Sequence, residues 1–249
     1  MKDKTSNSAP ALILEGVSLQ YQQKYIFRNL NTRFPAAQFS VLLGSSGVGK
    51  SSLLRMIAGL QNYNAGSIHA TDGQSLSNRI SYMGQQDFLL PWAKVIQNVM
   101  IGSHLRGEKR NRSLAEHLLE QVGLSDQCNA YPQSLSGGMR QRVALARVLY
   151  ENRPIILMDE PFSALDTVTR TRMQDFTVAL LRGKTVLLIT HDPFEACRMG
   201  EHIQVLAGQP AELYGPIAIK GAIPRHADAI ETQQAQSELL ALLLRKAEQ

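Results

Sequence analysis

The stretch Leu42-Leu-Gly-Ser-Ser-Gly-Val-Gly-Lys-Ser-Ser-Leu-Leu54 places three glycines, one lysine and four serines between apolar residues. Packing alone would favour bulk here, so these residue types need a chemical reason. Gly44, Ser45, Ser46, Gly47, Val48, Gly49, Lys50 and Ser51 follow G-x-x-x-x-G-K-[ST], with Ser52 adding a second hydroxyl. Phosphate explains every part of the pattern. Glycines let backbone N–H groups curve around anionic oxygens without Cβ clashes, and a following helix adds positive potential at its start. Lys50 supplies a point charge for the β- and γ-phosphates, and the Ser51 hydroxyl can ligate Mg²⁺. At average residue frequencies such a match arises by chance in a chain this long about once in a hundred.

A phosphate loop that does chemistry also needs a metal anchor and a base. Ile155-Ile-Leu-Met-Asp159-Glu160 ends a continuous apolar run in two carboxylates. Alone, such a pair reads as solvated loop acids. Beside the phosphate loop, Asp159 is placed to hold Mg²⁺ through water and Glu160 to polarise an attacking water. A third segment, Leu135-Ser-Gly-Gly-Met-Arg-Gln-Arg142, sets Ser136, Gly137 and Gly138 ahead of the apolar run VALARVL. That is a second helix start with exposed N–H groups, a second anion site by the same physics. Two such ends beside one nucleotide site imply that the second serves a neighbouring molecule.

These residues need elements to position them. Ala11–Tyr21 and Tyr25–Phe34 read as a β-hairpin across a short polar turn, and Phe39–Leu43 as a strand feeding a helix from about Lys50 to Gly59. Ser67–Ala70 and Arg79–Met83 add candidate strands. From Pro91 to about Leu149 the pattern is helical, with Ser113 and Glu116 predicting a capping box for a helix that closes at Gly123. Ile155–Met158 and Thr185–Ile189 are short, continuous, largely apolar runs, as central parallel strands covered on both faces would be. Ile203–Leu206 and Ala211–Tyr214 read as small closing strands. Ile230, Leu239, Leu240, Leu243 and Leu244 predict a packing helix in the tail after about Ala227.

The whole chain bounds the possibilities. It has 249 residues, 44% hydrophobic and 19% charged, enough for one large domain or a domain with a subdomain. No apolar run is long enough to span a bilayer, and the polar start MKDKTSNSAP has no secretory h-region. Cys128 and Cys197 stand far apart, which fits a reducing compartment and not a disulfide framework. The net charge of +5 is compatible with an anionic ligand or membrane face and identifies neither. Arg106–Arg112, the most basic stretch, reads as a solvated loop.

The sequence LSGGMRQR resembles the signature of ABC-type ATPases, and from about Leu12 to Gly208 the motifs follow that family's order. The resemblance implies an α/β P-loop NTPase (RecA-like) core, an N-terminal antiparallel β-subdomain and an inserted α-helical signature subdomain. By the same resemblance, Tyr21 stacks on adenine, Gln85 senses Mg²⁺ and the γ-phosphate, and His191 contacts the γ-phosphate. Ser163-Ala-Leu-Asp166 looks like the loop that communicates across a dimer. ATP and Mg²⁺ are the implied cofactors, held in a head-to-tail homodimer with each ATP between one chain's phosphate loop and the other's Ser136–Gly138. Where the family usually has an apolar or aromatic residue before the glutamine, this chain has Gly84.

The resemblance divides the chain into an ATPase domain over 11–208, with a helical subdomain inserted at about 88–150, and an extension over 209–249 too short for the regulatory domain of some sugar-importer ATPases. The stretch QQDFLLPW resembles the ATPase subunits of bacterial importers for nitrate, sulfonates such as taurine, and the pyrimidine precursor of thiamine, the last being preferred on the look of that region. Trp92 alone is equally explained as an anchor of the helical segment. The importer reading implies a separate transmembrane permease docking on Gln85–Trp92, a periplasmic or extracellular solute-binding protein, and a peripheral place on the cytoplasmic side of the inner membrane. A soluble ABC-type ATPase acting on DNA or ribosomes is the alternative. One cassette, no heptad arm and no cysteine cluster favour the importer, with no nucleic-acid partner.

Overall fold

The computed structural model describes residues 9–247, so most of the polar start, residues 1–8, lies outside the described residues. Two sheets organise the chain. A three-stranded antiparallel sheet runs β2 (Lys24–Phe34), β1 (Leu12–Tyr21), β4 (Ala65–Ala70). The expected hairpin is β1–β2, turned by Gln22 and Gln23. A six-stranded sheet has the order β5 (Ile80–Met83), β6 (Ile155–Asp159), β7 (Thr185–Thr190), β3 (Phe39–Leu43), β8 (His202–Ala207), β9 (Glu212–Ile217). Its strands are parallel except β9, which closes the edge antiparallel to β8.

The central strands are buried throughout, and alternate residues serve two cores. Ile155, Leu157, Leu187, Ile189 and Leu42 pack with the antiparallel sheet and α1 (Lys50–Ile57). Ile156, Met158, Leu188, Val41 and Leu43 face the other core, built from the remaining helices. This period-two division is what continuous apolar strands permit when both faces are covered. Because β3, β5, β6 and β7 are parallel, their C-terminal ends share one edge, the position where open α/β sheets present ligand-binding loops.

Between β5 and β6 lie α2 (Val95–Val99), α3 (Ile101–Leu105), α4 (Arg112–Gln121) and α5 (Gly137–Glu151). The capping box expected at Ser113 and Glu116 is not formed. Asn111 caps α4, its side chain accepting from the Leu114 amide at 3.0 Å. Asparagine ranks with the best N-caps. Ser113 instead donates to that Asn111 oxygen, and Glu116 pairs with Arg112 one turn back at 2.8 Å. Arg112 thus belongs to the helix and not to the basic loop before it. The helix does close at Gly123, at φ +68. Helices α6 (Thr167–Leu180) and α7 (Pro193–Met199) were not legible beforehand. The tail helix α8 (Ile230–Ala247) buries Ala235 and Leu239 in the larger core.

Candidate functional site

The phosphate-loop motif leaves β3 and enters α1 in the order its sequence demands. Gly44 has no room for a side chain, because a Cβ there would stand 2.4 Å from the Leu206 carbonyl oxygen of β8. Gly49, the residue before α1, sits at φ +110, a conformation that side chains rarely tolerate, so α1 begins with no side-chain cap on its first amides. Those amides and the helix dipole favour an anion. Ser45, Ser46 and Gly47 are exposed, Val48, Ser51 and Ser52 half-buried.

Lys50 is 6% exposed, and its ammonium donates to the Gly44 and Ser45 carbonyls at 2.7 and 2.8 Å. Burial lowers its pKa, opposed by the negative charges of Glu160 and Asp159. Two of three ammonium protons are thereby used, which leaves one for a ligand. Asp159, at the end of β6, is raised in pKa by burial and by Glu160, and drawn down by hydrogen bonding from Ser51. Its Oδ2 is buried without a partner. An orphaned carboxylate oxygen beside a serine hydroxyl is a donor set suited to a small hard divalent cation, so Ser51 and Asp159 fit Mg²⁺.

Glu160 follows at φ +50, a left-handed conformation that costs a non-glycine residue on the order of 1 kcal/mol and needs support from its surroundings. Its amide donates to the Ile189 carbonyl of β7 at 3.0 Å. The carboxylate is bracketed: His191 Nδ1 stands 3.1 Å from Oε1, and Gln85 Nε2 donates to Oε2 at 3.4 Å. Three strand ends, β5, β6 and β7, therefore bring Gln85, Glu160 and His191 to one point. His191 and Gln85 remain largely open to solvent. Gly84 has a local reason: a Cβ there would lie 2.7 Å from the Phe88 ring, so a bulky residue before Gln85 would displace that ring.

Ser136 caps α5, accepting from the Met139 amide at 3.3 Å, with Ser136 and Gly137 exposed. Gly138 packs on the loop after Glu160, 3.0 Å separating an added Cβ from the Ala164 carbonyl oxygen. Asp166, predicted within a communicating loop, caps α6 by accepting from Thr169 at 3.0 Å. Tyr21 ends β1 half exposed, and the same hairpin lays Ile26 and Phe27 against Gly49. No feature of the sequence singles out Gln141 within LSGGMRQR. Its amide joins α5 to the Glu160 loop, and only the neighbouring signature residues hinted at it.

A family model described as ABC transporter matches residues 27–163. The aliphatic sulfonates import ATP-binding protein SsuB of Shigella sonnei (strain Ss046) is 36% identical over 244 residues, covering 96% of this chain and 93% of its own. SsuB 1 of Rhodococcus jostii (strain RHA1) is 38% identical over 94% of this chain and 93% of its own. An uncharacterized ABC transporter ATP-binding protein of Haemophilus influenzae is 38% identical over 91% and 96%. Among solved structures, a dimeric ATP-binding cassette in a post-hydrolysis state bound to ADP and Pi matches with a TM-score of 0.75 at 31% identity, covering 85% of this chain and 100% of the other. The chain belongs to the ABC transporter family. It is an ATP-binding, ATP-hydrolysing cassette with the α/β P-loop fold.

Proposed function

We propose that this cassette is the energy-coupling subunit of a bacterial importer, working as a head-to-tail homodimer. The observation that carries the catalytic assignment is the convergence of Gln85 and His191 on the two carboxylate oxygens of Glu160. Such a bracket holds a base in one orientation while leaving it open to an approaching water. Glu160 takes a proton from that water, His191 contacts the γ-phosphate, and Lys50 with the amides of Gly44–Ser52 binds the triphosphate. Ser51, Gln85 and Asp159 would hold Mg²⁺, which would offset charge developing on the phosphate oxygens. Tyr21 stacks on the adenine, its exposed ring standing on the hairpin beside the phosphate loop.

In the dimer, Ser136, Gly137 and Gly138 of one chain cover the ATP held by the other, so nucleotide binding closes the pair and hydrolysis reopens it. A solved cassette of this fold that is dimeric and bound to ADP and Pi supports the pairing of two chains. The cassette spans residues 11–208, with the helical subdomain of about 88–150 inserted, and 209–249 form an extension. A separate permease docks on Gln85–Trp92, where Phe88 and Trp92 stand 62% and 74% exposed, a rare display for large aromatics. Among the described residues no helix is long and apolar enough to cross a membrane. The subunit sits at the cytoplasmic side of the inner membrane and a solute-binding protein delivers the cargo. Relatives named for aliphatic sulfonate import favour a sulfonate over the thiamine-precursor pyrimidine or nitrate.

Glu160→Gln tests the reading in two arms. Purified Glu160→Gln should bind ATP, form a stable dimer and lose about 100-fold or more in turnover, the usual worth of a general base. In the native cells, grown with an aliphatic sulfonate as sulfur source, the same substitution should abolish uptake of that sulfonate in labelled form. Wild-type turnover would remove Glu160 from the mechanism, and undiminished uptake would remove the importer role.

A further inference from the structure

Gln141 lies on the second turn of α5, 7% exposed, with both ends of its amide engaged by one loop. Its Nε2 donates to the Glu160 carbonyl at 3.0 Å and to Ser163 Oγ at 3.3 Å, and its Oε1 accepts from the Ala164 amide at 3.0 Å. The Glu160 carbonyl also accepts from the Ser163 amide at 3.3 Å and hydroxyl at 3.1 Å. Left-handed backbone at φ +50 persists only where neighbours hold it, and these contacts surround that residue. The helix that supplies Gln141 is the one whose start carries Ser136, Gly137 and Gly138.

We propose that Gln141 is a positioning residue for hydrolysis: it fixes the backbone that aims Glu160, and so ties the base of one nucleotide site to the helix end that covers the other. This rests on the reading of Glu160 as the base. The amide, not its bulk, is what the geometry uses. A carboxylate at this position would still accept from Ala164 but would turn acceptors toward the Glu160 carbonyl.

Two substitutions separate the effects. Gln141→Met keeps the volume and loses every hydrogen bond; Gln141→Glu keeps only the acceptor half. Both should lower kcat about tenfold or more with KM for ATP within about twofold, because misaimed groups cost rate and not binding. Placed in a Glu160→Gln background, Gln141→Met should lower the residual rate no further. Wild-type turnover in Gln141→Glu would overturn the proposal, as would an equal proportional loss in both backgrounds. Should Gln141→Met fail to fold, Gln141→Glu and Ser163→Ala, which removes the other side-chain donor to the same carbonyl, carry the test. Ser163→Ala should then lower kcat in the same direction, and an unchanged kcat would count against the proposal. Normal hydrolysis by Glu160→Gln is a distinct outcome, since it discards the base and not the link.

Discussion

Glu195 is a buried carboxyl one helical turn beyond His191 that no local motif announces. Its Oε2 accepts from Thr190 Oγ1 at 2.6 Å, and Thr190 Oγ1 in turn accepts from the Asp192 amide at 3.0 Å, so the turn bearing His191 rests on it. Gln174 Nε2 reaches its Oε1 at 3.4 Å. Burial pushes the Glu195 carboxyl up to about 7, helped by Asp192, while the Thr190 and Gln174 hydrogen bonds and the charge of Arg170 pull it down. The folded chain thus prefers the protonated acid. That preference is fully present below the ordinary value of 4.5 and is lost as pH rises through about 7. Glu195→Gln keeps an acceptor for Thr190 without the charge, so its stability relative to wild type should improve with rising pH. Between about pH 4.5 and 8 the gain should approach roughly 3 kcal/mol by urea unfolding. A difference that stays flat over that range would show that the carboxyl is not held protonated. Lys50 and Asp159 were legible because contiguous motifs carry them. Glu195 and Gln141 were not, since each depends on partners that only the folded chain brings near.

At the scale of elements, legibility follows burial and period. The continuous apolar runs of β6 and β7 announced central strands because both faces are covered. Helix α6 escaped because TVTRTR is rich in β-branched residues, and tertiary packing of Met173, Gln174 and Val178 overrides that weak helix preference. The short α7 escaped although Asp192 and Pro193 form a good start signal, with Asp192 accepting from the Phe194 amide at 2.9 Å. The loop before α2 shows how one side chain can hold a whole segment. Asn98, fully buried, accepts from the Leu90 amide at 2.7 Å and donates to the carbonyls of Leu90, Ala93 and Lys94 within 3.2 Å. Asn98→Ala would strand those backbone groups, at a cost of about 2–4 kcal/mol in urea unfolding. Trp92 is the chain's single tryptophan, lies in the same loop and is already largely exposed, so its fluorescence anisotropy should fall before global unfolding. Unchanged fluorescence and stability would show that the loop holds its shape without Asn98.

At the scale of the whole molecule, the two anion-binding helix starts belong to different elements, α1 and α5, and in the proposed dimer they serve one nucleotide when two chains meet. A head-to-tail pair makes each site composite, Lys50 coming from one subunit and Ser136 with Gly137 from the other. This arrangement predicts complementation between two inactive variants. A Lys50→Ala chain and a Ser136→Arg chain should each be inert as homodimers, because every site in each lacks one half. In the mixed dimer both defects fall in the same composite site, which leaves the second site intact. Random pairing puts half of the dimers in mixed form with one whole site each, so turnover should recover to about a quarter of wild type if sites act independently. The recovery should depend on the mixing ratio and peak at equal amounts. If each chain instead hydrolysed ATP with its own α1 and α5 together, mixing would yield only the sum of the two parents at every ratio.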